Sequence, residues 1–239
     1  MKKLVSLLLI TVLLFAAVLS VAACSEKEPT ASAAATIAEW QSKYTAGDFG
    51  IHSKKDPFVE LKLSTGESIR LELFPNVAPI SVNNFITYVQ EGFYEGVAFH
   101  RIRKGEMIQT GGFEIVDDNY VQKEATHPAI QGEFLANGVV NTLSHVRGVL
   151  SMARTPAFNS ATSQIFICAE LGQDVTASYN GSYAAFGRVI DEESMAVVAR
   201  LENVETHDEH VYYGETPVSA SDVPVTRVTI TKATLVWDK

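Results

Sequence analysis

A period of two, running through two six-residue stretches, is the strongest constraint this sequence places on its fold. In Phe58-Val59-Glu60-Leu61-Lys62-Leu63 and Ser68-Ile69-Arg70-Leu71-Glu72-Leu73, apolar and polar side chains alternate on either side of Ser64-Thr65-Gly66-Glu67. Successive side chains of a strand point to opposite faces, so the two runs predict a hairpin with one face buried. Short apolar runs at 148–152, 165–169 and 183–190 fit further strands, and 225–236 alternates well enough to close the set. Helical spacing occurs twice within this region. Pro79 opens one stretch, whose Val82, Phe85, Ile86 and Val89 form a stripe ending before Gly92. Asp191, Glu192 and Glu193 place acid at the start of the other, and Met195, Val198, Ala199 and Leu201 give its buried side. Many strands, two helices and no alternation of strand with helix argue for an antiparallel barrel.

Two segments inside this framework carry chemistry. The first is Phe99-His100-Arg101-Ile102-Arg103-Lys104-Gly105-Glu106-Met107-Ile108-Gln109-Thr110-Gly111-Gly112-Phe113. The second is Leu150-Ser151-Met152-Ala153-Arg154 followed by Asn159-Ser160-Ala161-Thr162-Ser163-Gln164-Ile165-Phe166-Ile167. Together they resemble the signature segments of the cyclophilin family of peptidyl-prolyl isomerases, over about Phe58 to Val236. The resemblance implies a mainly β fold, a closed eight-stranded antiparallel barrel capped by two α-helices. It also implies rotation about Xaa-Pro bonds as the activity.

That reaction sets modest chemical demands. Amide resonance raises a barrier of about 18–20 kcal/mol, while the cis form before proline lies only about 0.5–1 kcal/mol uphill. The problem is kinetic, and no covalent bond is made or broken. A site needs a donor or cation near the prolyl nitrogen, an apolar slot for the ring and main-chain hydrogen bonds for the flanks. No nucleophile, metal or cofactor is called for. By resemblance Arg101 is the catalytic arginine and Gln109 the residue that orients it. Met107 and Phe166 match walls of the proline slot, Ala153 and Arg154 match positions that bind substrate backbone, and Gln164 matches a further hydrogen-bonding position. Tyr183 falls where many members have histidine. Aligned through Asn180-Gly181, Ser178 stands where some have tryptophan and Tyr179 where they have leucine. Glu106 stands where phenylalanine is usual and brings a carboxylate to the slot, where Arg103 or Lys104 could pair with it. An active isomerase is the first reading. A proline-peptide-binding module or holdase chaperone, weakened in turnover by Glu106, is the second.

The N-terminus speaks to location. Met1-Lys2-Lys3 and the apolar run from Leu4 to Leu19 read as a secretion signal. Ser20-Val21-Ala22-Ala23-Cys24 resembles a bacterial lipobox, which makes residues 1–23 a signal peptide and Cys24 the lipidated first residue. Residues 24–55 then form a tether poor in core formers. A short helix is expected where Ile37, Trp40 and Tyr44 share a face before Gly47. Residues 56–239 form the folded domain. Losing residues 1–23 removes two lysines and no acid, taking the net charge from −9 to −11. Nucleic acid is therefore excluded as a partner, and so is electrostatic attraction to anionic lipid. The lipid must hold the chain at the extracytoplasmic face of the cell membrane, where proline-containing exported polypeptides are the expected partners of a monomer.

The remaining features are bland. Cys168 lies within Ile165-Phe166-Ile167-Cys168-Ala169 and predicts a buried thiol. The stretch 111–138, punctuated by Pro128 and Gly132, predicts long surface loops. His207 and His210, with Glu205, Asp208 and Glu209, have the side chains of a metal site, but their polar setting predicts a solvated loop. Ser144-His145 and Ser151 make no hydrolase elbow.

Overall fold

The computed structural model describes residues 56–236. The expected signal peptide, the expected lipidation at Cys24 and the expected tether with its short helix lie outside the described residues.

The chain opens with strands β1 (Phe58–Leu63) and β2 (Ser68–Leu73), paired antiparallel through the predicted hairpin, with Val59, Leu61, Leu63, Ile69, Leu71 and Leu73 buried. Helix α1 (Pro79–Gln90) follows and lays Val82, Phe85, Ile86 and Val89 on the core. Next come β3 (Arg101–Arg103), β4 (Met107–Thr110), β5 (Phe113–Val116) and β6 (Asn119–Gln122). Beyond a short 3₁₀ turn (Leu135–Asn137) lie β7 (Val149–Met152), β8 (Ile165–Cys168), α2 (Gln173–Ser182), β9 (Ala185–Val189) and α3 (Glu192–Glu202). Strands β10 (Thr206–Tyr213), β11 (Thr216–Pro224) and β12 (Ile230–Val236) end the fold.

Eight strands form one antiparallel sheet in the order β12-β1-β2-β9-β7-β8-β4-β3, curled around the main core. Its two edge strands do not pair along their length, so the barrel stops short of full closure. The seam is bridged just beside them. Ala98 pairs with Thr229, Phe99 N–H donates to Val228 O at 3.0 Å, and Ile230 N–H donates to Val97 O at 2.8 Å. Helix α3 seals one side with Val197, Val198 and Leu201, and its N-cap Asp191 accepts from Ser194 N–H at 2.8 Å.

Three expectations need correction. The expected surface loops at 111–138 begin with a hairpin, β5 and β6, turning through Asp117 and Asp118 at φ +46° and +64°. Both central residues have the positive φ of a tight hairpin turn, supplied by aspartates rather than the commoner Asn-Gly pair. The stretch holding His207 and His210 is strand β10 rather than a loop. It pairs with β11 and runs parallel to β6, making a second, four-stranded sheet over Ala98, Phe113, Tyr120, Val211 and Val223. Helix α2 was not expected, so the described residues hold three α-helices. It buries none of its own residues, which leaves no apolar stripe to read.

Candidate active site

Two-residue periodicity sorts the signature segments between the faces of the sheet. Ile102, Ile108, Leu150, Met152, Ile165 and Ile167 point into the barrel core. Their neighbours Met107, Val149, Phe166, Cys168 and Ala185 form a separate cluster on the outer face, covered by Ala153, Tyr179 and Tyr183 among others. Strand register aligns the outward positions into a row. Arg101 faces Gln109, Gln109 faces Phe166, and Phe166 faces Ser151 across β3, β4, β8 and β7. Residues as far apart in sequence as Arg101 and Phe166 thus share one surface, because directly opposed residues on neighbouring strands point the same way.

At the apolar end of the row three rings meet, with Phe166 edge to face against two tyrosines. Phe166 lies 5.6 Å from Tyr179 and 5.4 Å from Tyr183, and the two tyrosines are 5.0 Å apart. Met107 and Ala153 belong to the same cluster. Cys168 is buried there, and desolvation pushes its thiol up to about 12, so it stays protonated and inert. Behind Phe166 the buried ring of His145 stacks at 6.2 Å. Its Nε2 lies 2.9 Å from Ser151 Oγ, and Asn180 Oδ1 sits 2.7 Å from its backbone N–H and 3.0 Å from its Nδ1. This clamp ties α2, and with it Tyr179, to the barrel. Burial lowers His145 to about 4, which keeps the ring neutral at pH 7.

The polar end is built from amides and ion pairs. Gln109 Nε2 donates to Gln164 Oε1 at 2.8 Å, so its amide is locked by a second glutamine rather than spent on Arg101. Gly111 and Gly112 permit that closeness. A β-carbon on Gly112 would sit 2.5 Å from the Gln164 side chain, and Gly111 takes φ +96° against Ser163 O. The half-exposed Arg101 has its Nε 3.5 Å from Asp222 Oδ2. Glu106 is held at the rim, with Arg103 Nη1 at 2.6 Å from its Oε1 and the Tyr179 hydroxyl donating to the same oxygen. Burial and that carboxylate together raise the Tyr179 pKa.

Arg154 is turned away from the row. Its guanidinium carbon lies 4.9 Å from the rings of Phe134 and Tyr183 and 5.3 Å from Phe158, while Nε donates to Ser182 O at 2.8 Å. Ser178 lies on α2 one residue before Tyr179. Sequence reasoning missed Asp222, the aromatic cage of Arg154 and the His145 clamp. Each depends on at least one contact between residues far apart in sequence, Arg101 with Asp222, Arg154 with Tyr183 and His145 with Asn180, and only the cage left a trace, as scattered aromatics.

Comparison with known proteins agrees with this geometry. Residues 58–235 match the family model described as cyclophilin type peptidyl-prolyl cis-trans isomerase. A peptidyl-prolyl cis-trans isomerase of Acinetobacter baylyi is 39% identical over 184 residues, covering 76% of this chain and 92% of that protein. Peptidyl-prolyl cis-trans isomerase B of Escherichia coli is 35% identical over 170 residues, covering 69% and 94%. Among solved structures, a cyclophilin-type isomerase of Cryptosporidium parvum superposes with a TM-score of 0.54 at 23% identity, over 76% of this chain and 98% of that one. The curled antiparallel sheet with an arginine-bearing outer face defines a cyclophilin-like fold. The chain belongs to the cyclophilin-type peptidyl-prolyl cis-trans isomerase family, and its activity is isomerisation of the peptide bond before proline.

Proposed function

We propose that this isomerase acts on proline-containing exported polypeptides at the extracytoplasmic face of the cell membrane, as a monomer tethered through lipid on Cys24. The N-terminal sequence supports the location, and the row Arg101–Gln109–Phe166 carries the site assignment. The proline ring enters the apolar cluster of Met107, Phe166, Tyr179 and Tyr183. Arg101 then stands within reach of the prolyl amide, where a guanidinium favours a lone pair localised on nitrogen over one shared with the carbonyl. Gln109 and Gln164, locked to each other, leave the Gln109 carbonyl with one of its amide protons, and the Gln164 amino group, for substrate. Backbone at Ala153 and Arg154 borders the slot and suits the peptide flanks. Glu106 is paired at the rim, so its charge does not have to be displaced from the slot by an entering proline.

Reaching rates of about 10–10³ s⁻¹ from an exchange that takes tens of seconds asks the site for only some 4–7 kcal/mol. One oriented cation plus a desolvating slot is of that order. The test is exchange NMR of an Xaa-Pro peptide with the full chain in detergent micelles. Cis–trans exchange accelerated by wild type and lost in Arg101→Ala is the expected result. Peptide binding without accelerated exchange would replace this reading with the holdase.

A further inference from the structure

Outside the residues that resemblance assigns, one side chain reaches into the polar end of the row. Strand β11 packs beside β3, and its pairing with β10 slips there: His207 faces Val223 while Glu209 faces Ala220. Ser221 and Asp222 therefore oppose Asp208 alone, which is a bulge, a device that re-aims a side chain. Asp222 sits in it at φ +63°, a conformation that costs a non-glycine residue energy and that aspartate and asparagine tolerate best. The bulge delivers Asp222 Oδ2 between two guanidinium groups, 3.5 Å from Arg101 Nε and 3.7 Å from Arg103 Nε.

The two arginines are not equivalent. Arg103 is already held by Glu106 at 2.6 Å, and Glu106 in turn accepts from Tyr179. Among the described residues, Arg101 has only Asp222 as a charged partner. Asp222 meets it at the Nε edge, leaving both terminal nitrogens of the fork for substrate. With the Arg101 side chain 40% and the Asp222 side chain 34% exposed, water screens the pair, and its stability value is slight. What the contact supplies is direction: a long flexible side chain loses freedom before substrate arrives rather than during the reaction.

We propose that Asp222 is the positioning residue of Arg101, fixing the guanidinium over the proline slot, with Arg103 satisfied separately by Glu106. The inference rests on the catalytic reading of Arg101. It makes the β10–β11 ribbon part of the catalytic apparatus, although no residue of that ribbon need touch the substrate.

The test uses the full chain in detergent micelles with arginine ¹⁵N labelling. Asp222→Asn keeps the left-handed backbone and removes the charge. The ¹⁵Nε–¹Hε resonance of Arg101, assigned by its loss in Arg101→Lys, should move and broaden in Asp222→Asn. It should keep its position in Arg103→Gln. Exchange at saturating Xaa-Pro peptide should fall about 5- to 20-fold in Asp222→Asn, while the peptide dissociation constant stays within about twofold and the melting temperature is unchanged. An Arg101 resonance unmoved in Asp222→Asn overturns the proposal, and so does a moved resonance with unchanged exchange. Loss of peptide binding alongside exchange would overturn it as well, since Asp222 would then shape the site rather than aim Arg101. Wild type without isomerase activity would sink the catalytic reading by itself. The resonance and the dissociation constant would then decide whether Asp222 orients Arg101 at all.

Discussion

On the proposed reading Arg101 is the residue on which the chemistry turns, and its surroundings say how much it should matter. It stands on a three-residue strand with its partner Gln109 directly opposite, half exposed and outside the barrel core. Removing the guanidinium leaves the packing untouched but takes away an oriented cation. Arg101→Ala is expected to lower kcat/KM by about 10²–10³, the usual loss for a preorganised electrostatic donor, equivalent to about 3–4 kcal/mol. A protease-coupled assay with an Xaa-Pro peptide measures it, and an unchanged denaturation midpoint separates it from misfolding. Much at this scale was legible. Arg101, Gln109, Met107, Gln164 and Phe166 stand in contiguous signature runs, and the period of two places them outside the core. The partnerships were not legible. Gln109 bonds Gln164 and Arg101 meets Asp222, because hydrogen bonds follow from strand register and a bulge that no local pattern encodes.

At the scale of elements, α1 shows how a helix can depend on a distant residue. Its N-cap Ala78 has no side chain to offer, and Pro79 removes only one orphan donor. The buried carboxylate of Glu133 fills the gap, accepting from Ile80 N–H at 3.1 Å, Ser81 N–H at 2.7 Å and Ser81 Oγ at 2.6 Å. Glu133→Ala leaves these donors without their acceptor, the two on Ser81 at a buried position. A loss of about 2–4 kcal/mol in unfolding free energy is expected, combining a lost cap with unsatisfied buried groups. Urea denaturation followed by circular dichroism checks it, and a loss under 0.5 kcal/mol would show that α1 needs no such cap. The helix itself was legible from Pro79 and its apolar stripe, whereas α2 was not. Its ten residues bury nothing of their own and are placed by Asn180 on His145 and by Tyr179 on Phe166. The β10–β11 ribbon was hidden for a related reason. Its residues are mostly exposed, so the strands lack the buried alternate face that made β1 and β2 readable.

Over the whole molecule, two buried histidines set a pH response. Burial lowers both His100 and His145 from about 6.5 to about 4. Between those values the unfolded chain holds protons that the folded chain refuses, so stability is complete above pH 6.5 and is lost as pH falls toward 4. Each histidine can contribute up to about 3 kcal/mol over that window. Glu133 opposes them, since burial raises its pKa and favours the folded state on the acid side, but it is one group against two. Melting temperature should therefore drop steadily from pH 6.5 to 4.5, with a shallower slope in a His100→Gln, His145→Gln double variant. Equal slopes would mean that other groups govern the response. A second expectation at this scale concerns Cys24. Cys24→Ala should leave a precursor that retains residues 1–23 and takes up no metabolic fatty-acid label, whereas unchanged labelling would rule out that cysteine as the anchor.

By itself the sequence determined the fold class, the hairpin β1–β2, the helices α1 and α3, and the residues of the signature segments. These follow from periodicity and from contiguous runs, which report burial and local geometry one element at a time. The tertiary structure decided what joins elements far apart. It left the barrel just short of closure, added a second sheet beside Arg101, capped α1 with Glu133 and placed Asp222 against Arg101. Those contacts depend on strand order and register across the whole chain, and an amino-acid pattern read along the sequence carries no term for them.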